Sequence, residues 1–187
     1  MADKVNATPE PTRLDALAEA AGATRGLPPV HLWNPPHCGD IGLKIARDGT
    51  WSYQGSPITR PALVRLFSTV LRRDPEGHVL VTPAEKVSVD VEDAPFLAVS
   101  MRRDADRLVF VTNVGDEVAV GPEHPLRFDK GPADGVKPYV LVRGDLWALV
   151  TRALVFDLAG MAETRLVDGR LLIGVSSEGQ FFVMADA

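Results

Sequence analysis

Apolar residues recur along the chain with two periods, and the switches between them lay out the elements. Leu14, Leu17, Ala18 and Ala21 fall at helical spacing, with Gly22 as a C-terminal stop. Ile41 to Ala46 alternates, meets the turn signal Asp48-Gly49, and returns over Trp51 to Gln54 as a hairpin. Thr59 is placed to cap a helix that tolerates Pro61 in its first turn. Leu63, Leu66, Phe67 and Val70 form that helix's apolar stripe, and Asp74 to Gly77 ends it. In the stretch LVTPAEKVSVDVEDAPF, Val87, Val89 and Val91 alternate with Ser88, Asp90 and Glu92, the pattern of a half-buried strand.

A short strand, His78 to Val81, precedes that stretch, and Glu92-Asp93-Ala94-Pro95 turns the chain into a strand over Phe96 to Met101. Leu108 to Thr112, Glu117 to Val120 and Tyr139 to Val142 read as further strands. Asp145 is expected to cap an apolar helix from Leu146 to Ala159, stopped by Gly160. Arg170 to Val175 and Gln180 to Met184 close the chain as a hairpin around Ser177-Glu178-Gly179. Pro122 to Pro138 reads as a long Pro/Gly connection, Gly26 to Pro36 as an extended arm, and Met1 to Pro11 as a loose polar segment. On this reading Leu63, Phe67, Val70, Leu149, Ala153 and Leu154 are core.

The junction strand divides the chain into residues 1–93, an N-terminal arm and first repeat, and residues 94–187, a second repeat. LVRLFSTVL from Leu63 and LVTRALVFDL from Leu149 look alike, which suggests duplication. The fold class is α+β, two related halves that each combine a small β-sheet or partial barrel with a helix.

Composition narrows the function. The 187 residues are 45% hydrophobic and 24% charged, enough for a packed core. A net charge of -5 argues against broad nucleic-acid binding, which needs a basic surface to displace counterions. The single cysteine, Cys38, excludes an internal disulfide and fits a reducing compartment. No apolar run approaches membrane-spanning length, and Asp3 and Glu10 interrupt any signal-like segment, so the expected location is cytoplasmic.

Candidate chemistry is sparse. His37-Cys38 cannot act as nucleophile and base, because neighbours on an extended segment point apart. One cysteine with scattered histidines lacks zinc-ligand spacing, so no metal is expected and Cys38 reads as a packed thiol. Asp90, Glu92 and Asp93 lack a Ca²⁺-loop spacing, and no phosphate-loop glycine motif occurs. Glu85 is in phase with Val87 and Val89, where a carboxylate needs a partner, while Lys86 points the other way. Arg60 and Arg143 stand at expected helix starts, where free N–H groups favour anions.

The segments CGDIGLKIARDGTWSYQGSPI, LVRLFSTVLRRD, LVTPAEKVSVDVEDAPF, TNVGDEV, GPEHPLR and PYVLVRGDLWALV resemble a proteobacterial domain-of-unknown-function family, number twelve eighty-five. The resemblance runs from Cys38 to Val150. It implies a duplicated core, a C-terminal half superficially similar to pleckstrin-homology-like folds, and a site between the halves for a nucleotide-like molecule in a signalling role. It carries no catalytic residues and no cofactor.

The expected function is therefore a non-enzymatic, cytosolic ligand-binding or sensory protein with a small anionic or nucleotide-like ligand at its seam. Glu85 and Lys86 would contribute from the first half, and Asn113, Asp116, His124 and Arg143 from the second. They cluster at turns and element ends, where side chains can converge. Two alternatives stand beside it: an enzyme acting on a phosphorylated metabolite with Glu85 or His124 as acid–base group, and a protein-interaction adaptor needing no ligand. No nucleic-acid or membrane partner is expected, and the sequence names no protein partner.

Overall fold

The computed structural model describes residues 13–22, 26–131 and 135–187; the segment Met1 to Pro11 lies outside them. Helix α1 (Arg13–Gly22) and a single 3₁₀ turn (Val30–Leu32) lead into the first sheet. Its strands are β1 (His37–Ile45), β2 (Trp51–Tyr53), β3 (Ser56–Pro57), β4 (Leu71–Asp74), β5 (Gly77–Val81) and β6 (Lys86–Val91). Helix α2 (Pro61–Thr69) crosses from β3 to β4. The second sheet holds β7 (Phe96–Asp104), β8 (Arg107–Thr112), β9 (Glu117–Ala119), β10 (Leu126–Lys130), β11 (Val136–Arg143) and β12 (Leu146–Val150). Helix α3 (Arg152–Gly160) and a small sheet of β13 (Glu163–Val167), β14 (Arg170–Ser177) and β15 (Gln180–Asp186) follow.

The two large sheets share one topology. Their orders are β3-β2-β1-β6-β5-β4 and β10-β11-β12-β7-β8-β9. Each is a pair of three-stranded antiparallel meanders joined by a parallel contact between the sheet's first and last strands, β1 with β6 and β7 with β12. A parallel neighbour needs a crossover. In the first half α2 lies on that path, whereas in the second half residues 120–125 make it without a helix and α3 comes after the last strand. The likeness of the segments at Leu63 and Leu149 therefore does not mark equivalent positions; the six-stranded sheet is the repeated unit.

The expected helix over Leu146 to Ala159 is a strand followed by a shorter helix. Thr151 takes an extended backbone at φ -62 and ψ 152 and is the residue from which α3 starts, so Asp145 caps nothing. Leu146, Ala148 and Val150 are buried, and Trp147 and Leu149 half-buried, because β12 sits between β11 and β7. A strand with both faces covered reads as a continuous apolar run, which periodicity cannot separate from a helix. Leu154 is core as expected, but Ala153 is exposed and Leu149 only half-covered. Four strands were hidden by other features: β3 is only two residues long, β4 follows α2 with only Val70 between, β10 lies inside the Pro/Gly-rich connection, and β13 carries no buried residue.

Trp51 and Phe67 stack at 6.3 Å in the first half, where Leu63, Val70 and Leu71 close the same core. Phe96 and Phe110 are the large side chains of the second. A buried hydroxyl is one of the ties between the third sheet and the second, beside the Arg107–Glu178 ion pair and the packing of Val175 and Phe182 in the shared core. Ser177 Oγ donates to the Val120 carbonyl at 2.7 Å and accepts from the Leu108 N–H at 2.9 Å. Ser177→Ala leaves both backbone groups unpaired in a dry setting, so chemical denaturation is expected to show a loss of about 1–3 kcal/mol. Unchanged stability would mean that this hydroxyl does not anchor the sheet.

Candidate functional site

The seam between the halves is held by an arginine. Arg143 ends β11 beside a register shift, and Gly144 follows at φ +52. Its Nη1 donates to Asp116 Oδ2 at 2.7 Å and its Nη2 to the Ser68 carbonyl at 2.8 Å, while the guanidinium lies 4.9 Å from the Phe96 ring centre. Ser68 is in the last turn of α2, so the cation meets the negative end of that helix. Asp116 is itself positioned by its N–H, which donates to Thr112 Oγ1 at 3.0 Å. Arg143 thus begins no helix; it staples α2 of one half to a turn and an aromatic ring of the other.

The same turn touches the first half a second time. Asn113 Oδ1 accepts from the Leu97 N–H at 3.0 Å, and its amide lies so close to Gly49 that a Cβ there would stand 2.9 Å from Nδ2. Gly49 also sits at φ +82 in the β1–β2 turn, so glycine is required there by conformation and by space.

The six residues expected at the seam do not meet in one place. Asp116 and Arg143 pair, and Asn113 shares the turn of Asp116. Lys86 Nζ instead donates to Asp74 Oδ2 at 2.8 Å within the first sheet, beside Arg72, which also binds Asp74 and reaches the Val30 and Trp33 carbonyls. Glu85 precedes β6 and pairs with Arg13 of α1 at 3.3 Å, so its partner is a helix the strand phase did not reveal. His124 Nδ1 lies 3.0 Å from the Leu141 carbonyl in the connection before β10. Arg60 stands at the start of α2, 3.8 Å from Asp15.

Of the cavities lined by both halves, two adjoin each other around Arg73. One, about 240 Å³, is lined by Arg73 and His78 of the first half, Asp93 to Pro95 of the junction, and Arg127, Tyr139, Asp145 and Trp147 of the second. The other, about 420 Å³, has apolar walls of Leu27, Pro28, Val30, Leu71 and Leu146, with Arg72 and Arg143 along it. Arg73 and Asp145 line both. Sequence reasoning passed over this set, since Arg73, Arg127 and Trp147 belong to no motif. The signal was available in one place: Arg127 and Tyr139 are direct cross-strand partners once β10 is recognised.

The smaller cavity has an aromatic cation platform and a neutral histidine. The Arg127 guanidinium lies 4.8 Å from the Tyr139 ring centre and 4.5 Å from that of Trp147, whose Nε1 donates to Asp145 at 3.2 Å. Burial lowers the His78 pKa from 6.5 to about 4, and the neighbouring Arg73 cation pushes the same way against Asp145. Arg73 Nη1 lies 3.1 Å from His78 Nδ1; with the imidazole neutral, that nitrogen accepts from the guanidinium. Among the described residues no carboxylate pairs with Arg73. Asp93 is spoken for: burial would raise its pKa, but hydrogen bonds from Lys137 at 2.5 Å and the Tyr139 hydroxyl at 2.7 Å outweigh it and hold the carboxyl below its ordinary range.

Cys38 is exposed on β1 instead of packed, with Sγ 3.7 Å from the Pro36 carbonyl. The early part of β1 carries two register shifts against β6, which leaves His37 and Cys38 outside the core. Among the described residues no three His, Cys, Asp or Glu side chains lie together in a metal-binding arrangement. No described helix is long and apolar enough to cross a membrane.

Comparison with known proteins follows the same division of the chain. Residues 28–94 match the family model described as "Domain of unknown function (DUF1285), N-terminal domain", and residues 95–184 match "Protein of unknown function (DUF1285), C-terminal domain". The chain is similar to the crystal structure of a DUF1285 family protein from Silicibacter pomeroyi DSS-3, with 44% identity and a TM-score of 0.81 over 91% of this chain and 95% of that one. A DUF1285 family protein from Shewanella baltica OS155 is 26% identical, with a TM-score of 0.53 over 64% of this chain and 91% of that one. No curated protein matches.

Two outcomes test the seam. Arg143→Ala strands Asp116 and the Ser68 carbonyl in a partly buried site, so denaturation is expected to show a loss of about 1.5–3 kcal/mol; a variant as stable as the parent would remove the staple. For His78, the unfolded chain takes up a proton near pH 6.5 and the folded chain only near about 4. Stability is therefore expected to fall as pH drops through that window, and His78→Gln to flatten the slope there. The carboxyl of Asp74, held at about 2 by its hydrogen bond from Arg72 and then by Lys86, acts at lower pH. Parallel pH profiles for His78→Gln and the parent would refute the neutral histidine.

Proposed function

We propose that this chain, which belongs to the DUF1285 family, is a non-enzymatic ligand-binding protein whose seam takes a small anionic, nucleotide-like molecule. The observation that carries the reading is Arg73. It is a cation without a carboxylate partner among the described residues, set on the wall common to two cavities that both halves build. A phosphate or carboxylate there gains charge-assisted hydrogen bonds. Neutral His78 accepts from one arm of the same guanidinium and so orients it. A planar ring finds the Trp147–Arg127–Tyr139 platform on one side, and the apolar chamber receives the rest of the molecule.

The position favours a sensory role in the cytoplasm, where a lone cysteine stays reduced. A ligand held by Arg73 and Trp147 contacts both halves at once, so its occupancy is felt by the packing between them. An enzyme using Glu85 or His124 is less well supported, because each is engaged away from these cavities, with Arg13 and with the Leu141 carbonyl.

Thermal-shift screening against nucleotides and phosphorylated metabolites should give a hit. Titration calorimetry of that hit is expected to show affinity lower by about tenfold to a hundredfold in Arg73→Ala, the scale of a lost hydrogen bond to a charged group. Trp147→Ala should weaken a ring-bearing hit and leave inorganic phosphate unaffected. Equal affinity of the parent and Arg73→Ala would overturn the site.

A further inference from the structure

Strand β13 is an open edge. It pairs with β14 alone, from Glu163↔Gly174 to Val167↔Arg170, and its other side faces no described strand. Asp168 at φ +50 and Gly169 at φ +79 make the tight two-residue turn that closes on Val167 and Arg170. With that pair hydrogen-bonded, alternation along an antiparallel ladder directs the N–H and C=O of Thr164 and Leu166 away from β14, toward the edge. Every residue of β13 is exposed. Leu166 and its cross-strand partner Leu171 are 71% and 57% exposed, on a hairpin that projects beyond the buried part of the third sheet.

Edge strands of this kind are usually guarded by charge. Here the two charges have opposite sign and stand two residues apart on one face: Glu163 and Arg165, 2.8 Å from each other. We infer that β13 is a homodimerisation edge, pairing antiparallel with β13 of a second copy about a two-fold axis at Thr164. Edge-directed residues can pair only with edge-directed residues, so the registers open to two copies centre on Thr164, Arg165 or Leu166. Centring on Arg165 sets Arg165 against its own copy, and centring on Leu166 sets Arg165 against Val167. Centring on Thr164 sets Glu163 opposite Arg165 in both directions and Leu166 beside Ala162. The charge pattern selects that last register. The two three-stranded sheets then continue as one six-stranded sheet, with both Leu166–Leu171 pairs on the same face and the unpaired backbone groups at Thr164 satisfied.

Sedimentation velocity over a concentration series tests the assembly, and cysteine cross-linking tests its register. The parent is expected to show a concentration-dependent dimer. Arg165→Glu, which sets like charges opposite in the Thr164 register, should raise the dimer dissociation constant about tenfold or more, and Glu163→Arg combined with Arg165→Glu should restore it. In a Cys38→Ser background, Thr164→Cys is expected to form a disulfide-linked dimer with oxidised glutathione, because facing residues of such a pair lie within disulfide reach. Arg165→Cys and Leu166→Cys should stay unlinked. The charge swap keeps the test open should a cysteine variant fold poorly. A parent that stays monomeric throughout, or cross-linking at position 165 or 166 in place of 164, overturns the proposal.

Discussion

The Arg143 guanidinium decides how the two halves meet. Where α2 ends against the second half, something must donate to its last carbonyls. Arg143 does this for Ser68 while spending its other arm on Asp116 and its flat face on Phe96. One side chain thereby fixes a helix of the first half, a turn of the second and the ring that opens β7. The cavities that share Arg73 lie between β4 and the β11–β12 turn, and Arg143 lines the larger of the two. Asn113 against Gly49 adds a second, purely steric constraint a short way along the same boundary.

Legibility in the sequence followed the local chemistry of each segment. Asp48-Gly49 announced its hairpin, and the alternation of Val87, Val89 and Val91 announced β6, because a half-buried strand writes its orientation into polarity. β12 was misread for the converse reason: with strands on both sides and cover on both faces, it has no polar face to write. β13 was missed because it buries nothing and so carries no apolar stripe. The two related halves were visible, yet the helix likeness pointed to the wrong equivalence, since sheet topology is held by backbone pairing that many sequences satisfy.

The candidate site was less legible than the fold. Turn residues were a fair guide to the boundary, and Asp116, Arg143 and Asn113 all lie on it. Lys86, Glu85 and His124 were drawn elsewhere by partners distant in sequence: Asp74, Arg13 and the Leu141 carbonyl. Charge in a folded chain goes first to the nearest counter-charge, and only the topology says which one that is. Arg73 is notable for the opposite reason, since it meets a neutral imidazole, His78, and pairs with no carboxylate among the described residues.

The parallel contact between the first and last strand of each large sheet bears on how the chain is made. β1 cannot acquire its neighbour β6 until some forty intervening residues have left the ribosome, and the same holds for β7 and β12. During synthesis each half therefore exists for a time as a three-stranded meander with one raw edge and an uncovered apolar face. Because both parallel pairings are non-local, closing each sheet means bringing together two meanders that are already paired locally, and this is the slow step of each half. The duplicated topology repeats that delay, so the nascent chain passes twice through a state in which its central strand waits for a partner not yet translated.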